Sequence, residues 1–420
     1  MTLMKSLLLG SAAGIVAVAS AQAADLPTKK GAPAAEYVKV CSINVGGSPI
    51  VGFTLPGSDT CLKISGYLTG QFEGGNLNKQ YIAGVLQPTD VRPDIGYSTR
   101  GQVNFDAVSN TGAGPLLAHI ELQGNHGDDF DPLGNGVVIN SAFLTWAGIT
   151  AGKHGSFFDY LAGGDTWKDF YSPDHSGTPI NLLAYTASFG GGAAITLSAE
   201  QPEMVAETET ALGARSPDFV LALDLSQSWG GAHIAGVAHN SIESDPASVS
   251  TNNEWGYGII GGLTFNIPSM AGDKLALQGV WTKGAVAYSG AQSPSWGEGD
   301  NGANTNGNGE IVYYNDAVFV NGGWVQPTAW TAAAQLTLKV SPSFEIDPEF
   351  AYGDYNVNSN YHVDGYWVGA VWDWTAAKNL DFALDTIYMN ATVKDAATIA
   401  GIAPTTADGF NFRLRITRSF

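Results

Sequence analysis

Sixteen stretches of this chain, most of them about ten residues long, alternate apolar and polar side chains, and the connections between them are short and long in turn. They cover 62–72, 96–108, 115–124, 137–147, 149–153, 181–189, 193–201, 218–228, 233–240, 255–267, 274–288, 330–340, 344–355, 366–374, 380–393 and 409–420. Successive side chains of a strand point to opposite faces, so each stretch offers one apolar and one polar face. Beyond the first 23 residues no segment approaches 18 consecutive apolar residues. Such a chain can cross a membrane only as a closed barrel, because backbone polar groups in hydrocarbon must pair internally. The fold expected is therefore all-β: a transmembrane antiparallel β-barrel of 16 strands, with short turns toward the periplasm and long loops outside. A secreted sandwich or propeller also alternates, but neither needs every second connection to be long. Sixteen strands enclose a lumen too wide for side chains to fill, which makes it an aqueous channel.

The final strand shows the pattern clearly. Phe410, Phe412, Leu414 and Ile416 share one face, Asn411, Arg413, Arg415 and Thr417 the other, and the aromatic Phe420 falls in register with the apolar side. An aromatic residue there suits an interfacial girdle, and Phe420 is the candidate membrane-assembly signal. At the other end, Lys5, an apolar run over 7–19 and Ala21-Gln22-Ala23 read as a secretory signal peptide cleaved after Ala23. The expected organisation is a signal peptide over 1–23, an N-terminal periplasmic segment over 24–61 and the barrel over 62–420. Loss of residues 1–23, which hold one lysine and no acid, takes the net charge from −20 to −21, which argues against a nucleic-acid partner.

Particular motifs carry a family likeness: residues 4–13, the Ala23-Ala24-Asp25 junction, Val38-Lys39-Val40-Cys41 and, most specifically, Thr60-Cys61-Leu62-Lys63-Ile64-Ser65-Gly66-Tyr67. Thr150-Ala151-Gly152-Lys153 with Ser156-Phe157-Phe158-Asp159, Asn181-Leu182-Leu183-Ala184-Tyr185 and Arg413-Leu414-Arg415-Ile416 extend it over essentially the whole chain. In these the chain resembles the alphaproteobacterial porin family. The resemblance implies a homotrimeric general-diffusion porin of a Gram-negative outer membrane, surrounded by lipid and lipopolysaccharide and passing small hydrophilic solutes. It also implies a third extracellular loop that folds inward to narrow the pore. The family carries a cysteine pair, and this exported chain has only two cysteines, so Cys41 and Cys61 are expected to form a disulfide. A metal there is disfavoured because no further cysteine or histidine stands at ligand spacing. Neither cofactor nor metal is expected.

A pore does no covalent chemistry, so the residues that matter are the charges at its narrowest point. Taken as 154–179, the third loop offers Asp159, Asp165, Asp169 and Asp174 against Lys168, Asp174 doubling as a turn residue beside Pro173. Alternation points Lys63, Arg100, Arg413 and Arg415 into the lumen from the first, second and sixteenth strands, and Glu345, Asp347 and Glu349 from the thirteenth. With only six arginines in the chain, a mild cation preference is expected. The Gly- and Asn-rich 289–328 connection has little apolar surface to bury, reads as external and mobile, and has too few regularly spaced aspartates for a specific calcium site.

Other function classes find less support. There is no His-Glu-x-x-His, Gly-x-Ser-x-Gly or phosphate-cradling lysine loop, so no enzyme is expected. A substrate-specific channel, for sugars for example, would want an aromatic track. Yet Trp255, Tyr257, Trp330, Tyr366, Trp372 and Trp374 fall on lipid-facing parity or near strand ends, leaving Tyr160, Trp167 and Tyr171 of the third loop.

Overall fold

The computed structural model describes residues 39–75, 81–82, 85–86, 95–127, 136–160, 179–202, 210–245, 250–268, 272–290, 316–357, 361–394 and 405–420. Sixteen strands form the barrel: β1 Cys61–Gly75, β2 Ile95–Thr111, β3 Gly114–Gly127, β4 Gly136–Trp146, β5 Ile149–His154, β6 Ile180–Gly190, β7 Ala193–Glu200 and β8 Asp218–Gln227. The second half comprises β9 Gly230–Asn240, β10 Trp255–Asn266, β11 Lys274–Lys283, β12 Thr328–Ser341, β13 Phe344–Val357, β14 Tyr361–Ala377, β15 Leu380–Val393 and β16 Thr405–Ser419. Each pairs antiparallel with its sequence neighbour, and β16 returns to β1 in a register running from Ser419 opposite Tyr67 to Asn411 opposite Gly75. Closure leaves no sheet edge in the bilayer, as hydrocarbon demands.

Alternation decides which face meets lipid. On β8, Leu221 and Leu223 are 49% and 47% exposed, whereas Val220 and Ala222, which alternate with them, are fully buried on the lumen side. Large apolar side chains that would be anomalous on a soluble surface here line the outside of nearly every strand. Toward the long-loop end, outward rings meet in sequence around the wall: Tyr257 with Trp281, Trp330 with Tyr352, and Tyr366 with both Phe350 and Tyr388. Trp229 with Phe265 and Trp374 with Phe382 mark the short-turn end. These two levels are the interfacial belts of a membrane barrel.

Three sequence expectations need correction. The connection between β13 and β14 is only 358–360, because both strands extend further than their apolar residues indicate, so the alternation of short and long connections breaks once. β11 ends at Lys283 rather than Tyr288; the chain turns at Gly284 and forms a short 3-10 helix, Val286–Ser289. Finally, the 289–328 connection is not wholly external: among its described residues Ser289, Asp316, Ala317 and Val318 are buried, while Asn321, Gly322 and Gly323 are exposed.

An N-terminal hairpin, Val40–Val45 with Ser48–Thr54, precedes β1 and joins its first residues through Phe53 opposite Leu62 and Thr54 opposite Cys61. Cys41 and Cys61 are disulfide-bonded, with their Cα atoms 5.8 Å apart. The loop they close spans 20 residues, and chain entropy makes such a bridge worth about 3 kcal/mol. Replacing both cysteines by serine is expected to leave the barrel folded while exposing 40–60 to cleavage, which limited proteolysis with mass spectrometry reads directly.

The seam between β16 and β1 depends on Gly66. Its N–H donates to the Phe420 carbonyl at 3.2 Å and its own carbonyl accepts from Phe420 N at 2.9 Å. A Cβ at position 66 would lie 2.1 Å from the Gln102 carbonyl oxygen and 2.9 Å from the Phe420 ring. Gly66→Val is therefore expected to block closure. The check is loss of the compact, heat-modifiable band on gel electrophoresis after refolding.

Candidate pore constriction

β5 is only six residues long, so the chain leaves the wall at His154, level with the start of β6 at Ile180, while β4 beside it continues to Gly136, and it turns across the lumen. The turn is held by one carboxylate. Glu200, at the long-loop end of β7 and 1% exposed, accepts from the Ser156 hydroxyl at 2.6 Å and from Phe157 N at 3.1 Å. The Ser156 oxygen in turn accepts from Phe158 N at 3.1 Å, so the backbone donors of the turn are satisfied away from water.

Beyond the turn, Phe158 is fully buried among lumen-facing Val220 and Ala222 of β8, Ala235 and Val237 of β9, Ile260 of β10 and Val280 of β11. Burying a phenylalanine side chain stabilises by roughly 2–3 kcal/mol. Its carbonyl accepts from His233 Nε2 at 3.0 Å, while His233 Nδ1 lies 2.8 Å from Asp224. Tyr160 stacks on the His233 ring at 5.3 Å and donates its hydroxyl to Thr264 of β10 at 2.8 Å. On the departure side a run of rings, His119, Phe143, His154 and Phe157, links β3, β4 and β5 to the loop at centroid distances of 4.9, 4.5 and 5.4 Å. Residues 155–160 therefore bridge from the β3–β5 wall to the β8–β11 wall inside the barrel.

Of the acidic loop residues nominated from the sequence, Asp159 is half-buried directly after Phe158. Asp165, Lys168, Asp169 and Asp174 lie outside the described residues, as do Trp167 and Tyr171. Lys63, in register with Asp106, and Arg100 face the lumen from β1 and β2, and Arg100 donates to Asn125 at 2.9 Å. Arg413, buried on β16, lies 3.7 Å from Glu73, and Arg415 forks onto Asp385 at 2.8 and 3.0 Å. Lys339 of β12 pairs with Glu345. Asp347 and Glu349 continue the acidic row of β13 on the same face as Glu345. A cavity of about 530 Å³ inside the wall is bordered by Arg100, Lys339, Arg413 and Arg415 together with Asp373 and Asp381.

The residues that hold the loop were not singled out from the sequence. Glu200, Thr264 and His233 sit at lumen parity on their strands, as do the apolar Val220, Ala222, Ala235, Val237, Ile260 and Val280. Apolar residues on the lumen face of four consecutive strands were a visible signal that something covers them.

A closed sixteen-stranded barrel, apolar toward lipid and charged around its lumen, is an outer-membrane channel for passive diffusion. The sequence model of the porin subfamily matches residues 25–411, and the chain belongs to that family. It is similar to porin Omp2a of Brucella ovis, 29% identical over 371 residues spanning 83% of this chain and 97% of the relative. Porin Omp2b of Brucella neotomae is 28% identical over 390 residues, 87% and 98% of the two chains. Among solved structures the barrel is shared with the outer membrane channel DcaP of Acinetobacter baumannii, at TM-score 0.65 and 14% identity over 88% of this chain and 99% of that one. An anion-selective porin from Comamonas acidovorans matches at TM-score 0.53 and 13% identity over 86% and 100%. At these identities the structures share a fold with this chain, and the charge preference has to be read from its own lumen.

Tyr160 fits where it does because position 262 lacks a side chain: a Cβ there would lie 2.1 Å from the Tyr160 ring. Gly262→Val is expected to expel the ring from the wall and alter single-channel conductance. Tyr160→Phe, which removes only the bond to Thr264, weakens the contact by about 1 kcal/mol and changes conductance less. Planar-bilayer recordings of both variants check the order.

Proposed function

We propose that this porin is a general-diffusion channel with a mild cation preference, narrowed by its third loop and assembled as a homotrimer among outer-membrane lipids and lipopolysaccharide. The observation that carries the charge preference is the imbalance of the β12–β16 wall. Lys339, Arg413 and Arg415 stand there against Glu345, Asp347, Glu349, Asp373, Asp381 and Asp385, and on β1–β3 the carboxylates Glu73, Asp106 and Glu121 stand against Lys63 and Arg100. Each of those three cations already has a carboxylate neighbour, so the residual field of this wall is negative and enriches cations in the lumen. The third-loop residues Asp159, Asp165 and Asp169, with Lys168, would add to that field, Asp174 less so.

Residues 1–23 are removed on export in this reading, and the hairpin forms the periplasmic segment ahead of the barrel. The protein acts as a passive conduit and not as an enzyme. A sugar-preferring channel is a second reading, favoured by the ring series from His119 to Phe157 on the lumen wall. Those rings pack on one another and Tyr160 lies against His233, which leaves stacking faces for a solute scarce.

The test is the reversal potential of a single channel in a salt gradient. A potential on the cation side is expected, moving toward zero when Glu345, Asp347 and Glu349 are replaced together by their amides. Anion-side reversal in the unaltered protein would overturn the preference, and saturation of current by a neutral sugar at low concentration would favour the second reading.

A further inference from the structure

Beyond the third loop, a second connection reaches into the lumen. The chain between β11 and β12 turns inward at Gly284, and Ala285, Val286, Ala287, Tyr288 and Ser289 are all fully buried. The other end of the same connection, Asp316–Val318, is buried beside it. The glycine- and asparagine-rich sequence in between gave no hint of this, since the buried residues lie at its margins and mix apolar and aromatic side chains with Ser289 and Asp316.

A polar core holds both ends. Asp316 accepts from Val286 N at 2.7 Å through one oxygen and faces His239 Nε2 at 3.2 Å through the other. His239 Nδ1 lies 2.8 Å from Asp218, which also accepts from the Tyr288 hydroxyl at 2.7 Å and from Asn240 N at 3.3 Å. The Thr331 hydroxyl of β12 donates to the Ser289 carbonyl at 2.7 Å. An imidazole flanked by two carboxylates donates to both only as the imidazolium, so one cation ties β9 to β8 and to the loop. Burial first, then the charges of Asp218 and Glu200, keeps the Tyr288 phenol well above its ordinary range, which makes its hydroxyl a permanent donor. This core adjoins the constriction, for the Tyr288 ring meets Phe158 edge-on at 5.1 Å and His239 at 5.9 Å. Tyr288 and Ala285 complete the apolar shell around Phe158.

We propose that the sixth external connection is a clamp on the third: Tyr288 and Asp316, fixed to the wall through Asp218 and His239, are positioning residues that set the aperture by holding Phe158 against β8–β11. This rests on the reading that the third loop narrows the pore. It assigns a role in permeation to residues remote from the charged row of β13, and it makes the two loops one unit.

Single-channel recording of the full barrel in planar bilayers tests it, with Tyr288→Phe and Asp316→Asn as the conservative variants and Tyr288→Ala as the larger one. Loss of one hydrogen bond to a buried charge is expected to make excursions from the main open level roughly tenfold more frequent. The size limit for neutral polymers is expected to rise in Tyr288→Ala, with heat-modifiable gel mobility unchanged in all three. Unaltered current noise and size limit in all three folded variants, with Gly262→Val still changing conductance, would overturn the clamp and spare the constriction. Unaltered behaviour in Gly262→Val as well would overturn both.

Discussion

In a hydrocarbon layer an unpaired backbone amide or carbonyl costs several kcal/mol, and this requirement for complete pairing is what every other feature of the barrel depends on. It forces closure, and closure forces β16 onto β1 in a single register. A shift of one residue would carry Arg413 and Arg415 to the lipid face and Phe412 and Leu414 into the lumen, so the alternation of side chains and the pairing of backbone fix one another. Gly66 and Phe420 lie at the end of this seam, where a side chain on the glycine would meet backbone oxygen.

Once the wall is closed, the problem becomes how to fix a loop within a lumen wide enough for water. Polar contacts alone do poorly there, because water competes for each of them and the net worth of a hydrogen bond falls to about 1 kcal/mol. The barrel meets this by making one sector of its inner wall apolar. Val220, Ala222, Ala235, Val237, Ile260 and Val280 lie buried under Phe158 and Tyr288, and behind that cover Glu200 and the Asp218–His239–Asp316 set operate without water. The opposite sector keeps its polar character, so one ring of strands carries a dry anchoring half and a wet conducting half.

How much of this was legible in the sequence differs between the two halves. The barrel, its strand number and the lumen parity of Lys63, Arg100, Arg413, Arg415, Glu345, Asp347 and Glu349 follow from period-two alternation, which is local and survives an error of a residue or two at a strand end. Loop insertion is not local. Glu200 reads as an ordinary strand-end acid and His239 as a lone histidine, and only the folded chain brings Ser156 to the first and Asp316 to the second. The extent of β11 was misjudged for a related reason: Val286 and Tyr288 continue an apolar pattern, but their partner surface is the lumen wall rather than lipid. The apolar lumen parity of β8–β11 was present all along, and it is the feature from which an inward-docking segment could have been anticipated.

Charge placement in the conducting half carries a further consequence. Arg415 forks onto Asp385 and Lys339 pairs with Glu345, while Arg413 stands 3.7 Å from Glu73 at ion-pair distance, so each of these cations has a carboxylate beside it. At physiological ionic strength the Debye length is about 8 Å, and a neutralised pair contributes little beyond its own neighbourhood. The field that a passing ion meets then depends on the charges outside these pairs, Lys63 and Arg100 as well as the other carboxylates. Arg415 and Lys339 here order their acidic neighbours along the wall.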